Sequence, residues 1–167
     1  MYVSVAPRDG GLMEFTYWAS PLGPLLLAGE GESLSYLSFP EGKGRIDPAA
    51  DWVLRDGAFV EVKTQLEEYF SGKRRNFELK LRPQGTAFQL SVWNALRGIP
   101  YGETRSYMEI AEVIGNPKAV RAVGAANGRN PFPIVVPCHR VIGADGSLTG
   151  FGGGLSAKTF LLALEGG

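Results

Sequence analysis

Two side chains of this sequence can do nucleophilic chemistry together. Cys138 and His139, the only cysteine and the only histidine of the chain, stand side by side in Val135–Gly143, VVPCHRVIG. A thiolate is a strong nucleophile, and an imidazole is well matched to removing its proton near neutral pH. The pair also has a plain structural reading. Buried cysteines commonly serve as small hydrophobes, and neighbours on a strand point to opposite faces, so a histidine-activated thiol here needs a turn or a bridging water. An ordinary thiol with pKa near 8.5 is roughly 3% ionised at pH 7, so complete ionisation gains about 30-fold, or about 2 kcal/mol. The rest of any catalysis must come from alignment and from stabilising the leaving group. One cysteine with one histidine excludes an internal disulfide and a four-ligand structural zinc site.

The segment that carries the pair is stiff, with prolines at 131, 133 and 137 fixing backbone angles on the approach to Cys138. Upstream, the spacing predicts three helices. The first has the apolar stripe Phe88, Val92, Trp93 and Leu96 and ends near Arg97-Gly98. In the second, Ser106 and Glu109 form a capping box for a helix running to Ile114, closed by Gly115. The third is capped by Asn116, with Pro117 at its first position, and continues through KAVRAVGAA. The last two make a helix-turn-helix candidate, a layout shared by DNA-binding proteins and by many that never touch DNA. The third helix holds Ala119, Ala122, Gly124 and Ala125 around a single Arg121, a composition that suits either a packing helix or one pressed against a shallow groove with an arginine wedge.

The first part of the chain reads differently. Alternation over Leu12–Ser20, turn residues at Pro21–Pro24, then LLLAG and LSYLSF predict a short antiparallel meander. Phe59, Val62, Leu66, Tyr69 and Phe70 repeat at helical spacing up to Ser71-Gly72, and FELKL (Phe77–Leu81) reads as one more strand. The linker Arg82–Thr86 carries Pro and Gly, which divides the chain into residues 1–82 and 83–167. The fold class is therefore α/β in the α+β sense.

With 167 residues, 44% of them hydrophobic, the chain can bury a substantial core. Its net charge of zero hides an asymmetry: residues 82–167 carry 8 Lys/Arg against 5 Asp/Glu, a net positive charge permissive of phosphate contact. No apolar run reaches the roughly 18 residues of a membrane span, and MYVSVAPRDG lacks the basic flank and apolar centre of a signal peptide. The expectation is a cytoplasmic protein without membrane contact.

PCHRV with an upstream Asn-Pro, preceded by RAVG and followed by GGL and a final helix, resembles the O6-alkylguanine-DNA alkyltransferases, in detail their bacterial members. The resemblance extends over the chain through SPLGPLLLA, QLEEYFSGK, GTAFQLSVWNALRGIPYGETRSY and GGLSAKTFLLALE. It implies a ribonuclease H-like first domain and a winged-helix-like second one. It also implies a DNA repair activity in which O6-alkylguanine, chiefly O6-methylguanine, is flipped from duplex DNA. The alkyl group then passes irreversibly to Cys138 in a single turnover, with no cofactor, by a monomer bound in the minor groove. By the same resemblance His139 and Glu165 relay the thiol proton through water, and Tyr107 stabilises the departing guanine and crowds its phosphate. Arg121 fills the vacated stack, among the DNA-facing Ala119, Ala122, Gly124 and Ala125. Asn130 ties the helix end to the cysteine loop, and Asn127, Pro133, Val141, Phe151, Gly152 and Gly153 line the guanine pocket. Glu165 breaks a local rule independently, since a glutamate in the last turn of a helix opposes its dipole; a functional role and a frayed, solvated tail both fit that.

Two positions depart from the family pattern. Phe151 stands where many members have tyrosine and Gly152 where some have serine, so a side-chain hydroxyl contact to O6 is absent and only a backbone N–H remains there. Two competing readings are a non-enzymatic, alkyltransferase-like lesion binder, which the presence of Cys138 opposes, and a cysteine hydrolase, for which no oxyanion-hole motif is recognisable.

Overall fold

A computed structural model describes residues 11–166. The N-terminal MYVSVAPRDG, read above for a signal peptide, and Gly167 lie outside the described residues. The predicted meander forms. Strands β1 (Glu14–Ser20), β2 (Gly23–Glu30) and β3 (Ser33–Ser38) pair antiparallel, and a short β4 (Val53–Leu54), in a stretch expected to be loop, adds parallel to β1 to give the order β3-β2-β1-β4. The register slips between Ala28 and Gly29. A Cβ at Gly29 would lie 1.9 Å from the Ser33 carbonyl oxygen, so the bulge needs glycine.

Helix α1 (Val60–Phe70) turns Val62, Leu66 and Tyr69 inward, while Phe59 sits just before it, buried, at φ 58°. These residues join Leu25, Leu27, Leu34 and Leu37 of the sheet in one hydrophobic cluster that runs on into the second part through Val92, Leu96, Val123, Phe132 and Leu161.

The strand expected over Phe77–Leu81 does not form; one bridge, Leu34 to Leu81, is all that pairs. The reason is a side chain. Buried Gln65 of α1 accepts from the Glu78 N–H at 2.9 Å and donates to the Glu78 carbonyl at 3.0 Å, taking the groups a neighbouring strand would need.

In the second part α2 (Ala87–Leu96) and α3 (Tyr107–Val113) each begin with a complete capping box, Thr86/Gln89 and Ser106/Glu109. Helix α4 (Val120–Gly128) starts three residues later than Pro117. Asn116 does not cap it: the N-cap is Ala119, with no side-chain cap bond. Asn116 instead ends α3, where with Gly115 at φ 77° Asn116 N–H bonds Ala111 O at 2.9 Å and Gly115 N–H bonds Glu112 O at 3.0 Å, a Schellman motif. Strand β5 (Arg105–Ser106) pairs parallel with β6 (Val141–Ile142), and α5 (Leu155–Leu164) ends the described chain. Among the described residues no helix is long and apolar enough to cross a membrane.

Replacing Ser106 by alanine removes the α3 cap and is expected to lower unfolding stability by about 1 kcal/mol. A drop in the urea midpoint without a change in m-value checks it; an unchanged midpoint refutes the cap's contribution.

Candidate active site

Cys138 opens a single 3-10 turn, Cys138–Arg140, that follows the proline-stiffened segment. Asn130 shapes the approach: its Nδ2 donates to Val136 O at 2.8 Å and its Oδ1 accepts from the Phe132 N–H at 2.9 Å, pinning both ends of the segment. Asn127 Nδ2 lies 3.4 Å from the Cys138 carbonyl. With three residues per turn, consecutive side chains diverge by about 120°, so Cys138 and His139 face different surroundings.

His139 faces inward. It is fully buried, and its Nε2 lies 2.9 Å from Glu165 Oε2, which fixes Nε2 as the protonated nitrogen and leaves the lone pair on Nδ1. Nδ1 is buried and meets no hydrogen-bond partner among the described residues. Glu165, the residue that ends α5, is no frayed tail: it is 5% exposed and accepts from four donors. Besides His139, these are Tyr69 Oη at 2.6 Å and Arg140 through Nε and one terminal nitrogen, both at 2.8 Å. The Arg140 charge answers the unfavourable helix dipole.

Burial alone would raise the Glu165 carboxyl; the hydrogen bonds from His139 and Arg140, the His139 charge and the Tyr69 hydroxyl instead hold it well below the carboxylate range. Burial pushes His139 down, against the pull of Glu165, so the imidazole is neutral at neutral pH. Burial also pushes the Cys138 thiol up to about 11, opposed by the Asn130 amide and by the charge of Lys158. Lys158 is itself fully buried on the apolar face of α5 and donates to Val141 O at 2.6 Å and Thr149 O at 3.3 Å.

Cys138 lines a cavity of about 280 Å³. Asn127, Asn130, Pro133, Phe151, Gly152 and Gly153 line it too. Val141, expected with them, does not; it is fully buried and anchors Lys158 through its carbonyl. The opposite wall comes from the first part, through Phe39, Lys43 and Gly44 among others. Gly44 N–H donates to Gly152 O at 2.9 Å, and a Cβ at Gly153 would lie 2.4 Å from the Phe39 ring, so this seam closes only over glycine. Tyr107 is not at the cavity wall: it is half-buried, beside Gly124, with its hydroxyl bonded to Thr149 Oγ1. On α4, Arg121, Ala122 and Ala125 are exposed, whereas Ala119 and Gly124 are half-buried.

Three groups at the site escaped the sequence reading. Lys158 carried a signal, a charge on the apolar stripe between Leu155 and Leu161. Arg140 stands inside PCHRV. Tyr69 carried none, because its helical spacing reads as core.

Fold and site together describe a protein of two parts, with one buried cysteine at a cavity wall, a buried pair made by the next residue, a histidine, with a glutamate, and a helix-turn-helix in its second part. Residues 87–167 match the 6-O-methylguanine DNA methyltransferase, DNA binding domain, and residues 13–83 match the ribonuclease-like domain of the same proteins. The methylated-DNA–protein-cysteine methyltransferase of Methanosarcina acetivorans is 58% identical over 154 residues, spanning 92% of this chain and 99% of that protein. The Mycobacterium leprae protein of the same name is 54% identical over 147 residues, 87% of this chain and 88% of the relative. The Mycobacterium tuberculosis protein solved in complex with DNA superposes with a TM-score of 0.86 at 51% identity, over 91% of this chain and 92% of that one. This chain belongs to the 6-O-methylguanine DNA methyltransferase family.

A neutral imidazole that follows a protonated thiol in the chain gives a pH test of whether the two act together. Iodoacetamide alkylation of Cys138 is expected to stay level between about pH 7 and 9 and to fall on the acid side as His139 protonates, because the reacting pair keeps one protonation state across that window. A rate that climbs tenfold per pH unit would show a lone thiolate at work, without the base.

Proposed function

We propose that this chain repairs O6-alkylguanine in duplex DNA by moving the alkyl group to Cys138, once per protein molecule. The observation that carries the proposal is the placement of Cys138, which lines a cavity of about 280 Å³; the next residue, His139, is held by Glu165 with its Nδ1 left without a partner among the described residues. The target guanine enters the cavity against Pro133 and the Phe151–Gly153 segment. The Cys138 sulfur forms its bond to the alkyl carbon as the carbon–O6 bond breaks. The thiol proton passes through a bridging water to His139 Nδ1, and the imidazolium shares its Nε2 proton with Glu165. The departing guanine takes up a proton from solvent as the imidazolium gives its own back, so the thiol proton is balanced. The Tyr107 hydroxyl, bonded to Thr149 outside the cavity wall, reaches the guanine only once DNA is bound.

The raised thiol changes the apportioning made from the sequence. With the thiol pushed up to about 11, the resting sulfur is protonated at pH 7, so its proton leaves only as the bond to the alkyl carbon forms, and alignment carries a larger share than it would for an ordinary free thiol.

Helix α4 lies in the minor groove, where its small residues admit close backbone approach, and the exposed Arg121 fills the stack left by the flipped base. Asn130 and Asn127 hold the cysteine loop to the end of α4. The protein acts as a monomer in the cytoplasm, without a cofactor, and its two domains divide at the 82/83 boundary.

Incubation with a duplex containing O6-methylguanine is expected to add one methylene to the mass of the protein, located on Cys138. Intact lesion binding without that gain would identify a lesion binder and sink the repair reading. Arg121→Ala is expected to slow repair of the duplex by tenfold or more, on the order of 1.4 kcal/mol, and to leave reaction with free O6-benzylguanine nearly unchanged. Equal losses on both substrates would remove Arg121 from base flipping.

A further inference from the structure

We infer that Tyr69, a core residue of the first part of the chain, is a positioning residue for the proton relay: its hydroxyl holds Glu165 Oε2 on His139 and keeps the carboxylate's grip on the imidazolium weak enough for the imidazole to stay neutral until transfer. The inference rests on the proposed function for its role in alkyl transfer, and on geometry for the contact itself.

Oε2 is the shared atom. It accepts from Tyr69 Oη at 2.6 Å, His139 Nε2 at 2.9 Å and Arg140 at 2.8 Å, while Oε1 takes the Arg140 Nε at 2.8 Å. An oxygen that already receives two strong donors has less charge left for a third, so each donor weakens the hold of the others. The Tyr69 hydroxyl is fully buried and 96 residues distant in sequence, and α1 delivers it with no freedom to turn away: the ring is packed against Phe70, Phe77 and Tyr101 at centroid distances of 5.3, 5.4 and 6.3 Å. Burial, followed by the charge and the hydrogen bond of Glu165, raises the Tyr69 phenol far above its usual range, so it can only donate.

The remaining charged and titratable groups around the pair are few. Arg140 comes from the 3-10 turn, Lys158 from α5 and Tyr101 from the loop before β5; the Tyr101 ring sits between the Arg75 and Arg140 guanidiniums at 5.0 and 5.6 Å. Arg140 and Lys158 both oppose a positive imidazole, and Glu165 favours one. Among the described residues Glu165 is the partner that favours the imidazolium, and Tyr69 adjusts it. Removing its hydroxyl leaves Oε2 with more charge for His139, so the imidazolium is stabilised and the histidine protonates at higher pH. The relay would then lose its neutral base in mildly acid solution.

The single histidine of the chain makes the test direct. Imidazole ¹⁵N resonances are followed against pH in the wild type and in Tyr69→Phe, which keeps the ring and its packing. The midpoint in the variant is expected about half a pH unit or more above that of the wild type. The acid limb of single-turnover repair should move by the same amount, and p-aminophenylalanine at position 69, which restores a donor, should move both back. Coincident midpoints in wild type and variant overturn the inference, as does a variant that loses only thermal stability. A wild-type protein that never becomes alkylated on the lesion duplex sinks the functional reading instead, and leaves the histidine titration to decide the role of Tyr69.

Discussion

A carboxylate withdrawn from water costs several kcal/mol unless its charge and lone pairs are met, and Glu165 is such a carboxylate. The four donors come from two separate places and the acceptor from a third: α1 supplies Tyr69, the 3-10 turn supplies His139 and Arg140, and α5 ends on the carboxylate itself. No two of these elements can shift relative to one another without leaving a buried charge short of a partner. The reactive turn, the last helix and the first domain are thereby locked around one group, and the orientation of His139 is a by-product of that lock. Arg140 extends it by donating to the Ile99 carbonyl at 2.8 Å, which ties in the segment after α2.

A second constraint acts on the other face of the turn. Asn130 and Asn127 hold the cysteine loop to the end of α4, and Lys158 holds the following residues to Thr149. Thr149 in turn bonds Tyr107 at the start of α3. The helix-turn-helix and the thiol are therefore joined by short polar links at both ends of the Pro133–Val141 segment, so a load on α4 or α3 reaches the sulfur through few bonds. The parallel β5–β6 pair makes the same connection through backbone.

Much of this was legible in residue order. Period-two alternation and turn residues gave the meander, and S-x-x-E gave the start of α3, because both signals are local. Cys138 and His139 stood out by type and adjacency and Glu165 by its place against the helix dipole, but the roles expected of them, and of the loop asparagine, came through the family motif. The expected strand over Phe77–Leu81 failed because Gln65 takes the Glu78 backbone groups, and the expected cap at Asn116 failed because the chain stays in the closing turn of α3 there and α4 begins only after Ala119. Tyr69 and the Phe39–Gly44 wall of the cavity were illegible because contacts across roughly a hundred residues leave no trace in periodicity. Lys158 could have been found, since a lysine on an apolar stripe needs buried acceptors, and it has two.

On the proposed reading, each molecule reacts once, and that bears on why the thiol is held at about 11. An activated thiolate would be spent on any passing electrophile or oxidant. A neutral, 4% exposed thiol is slow toward all of them. Its base, also neutral and buried, takes the proton only as the bond from sulfur to carbon forms. Burial, which opposes ionisation in the resting state, thus reserves the sulfur for the one encounter in which bond formation and proton transfer proceed together.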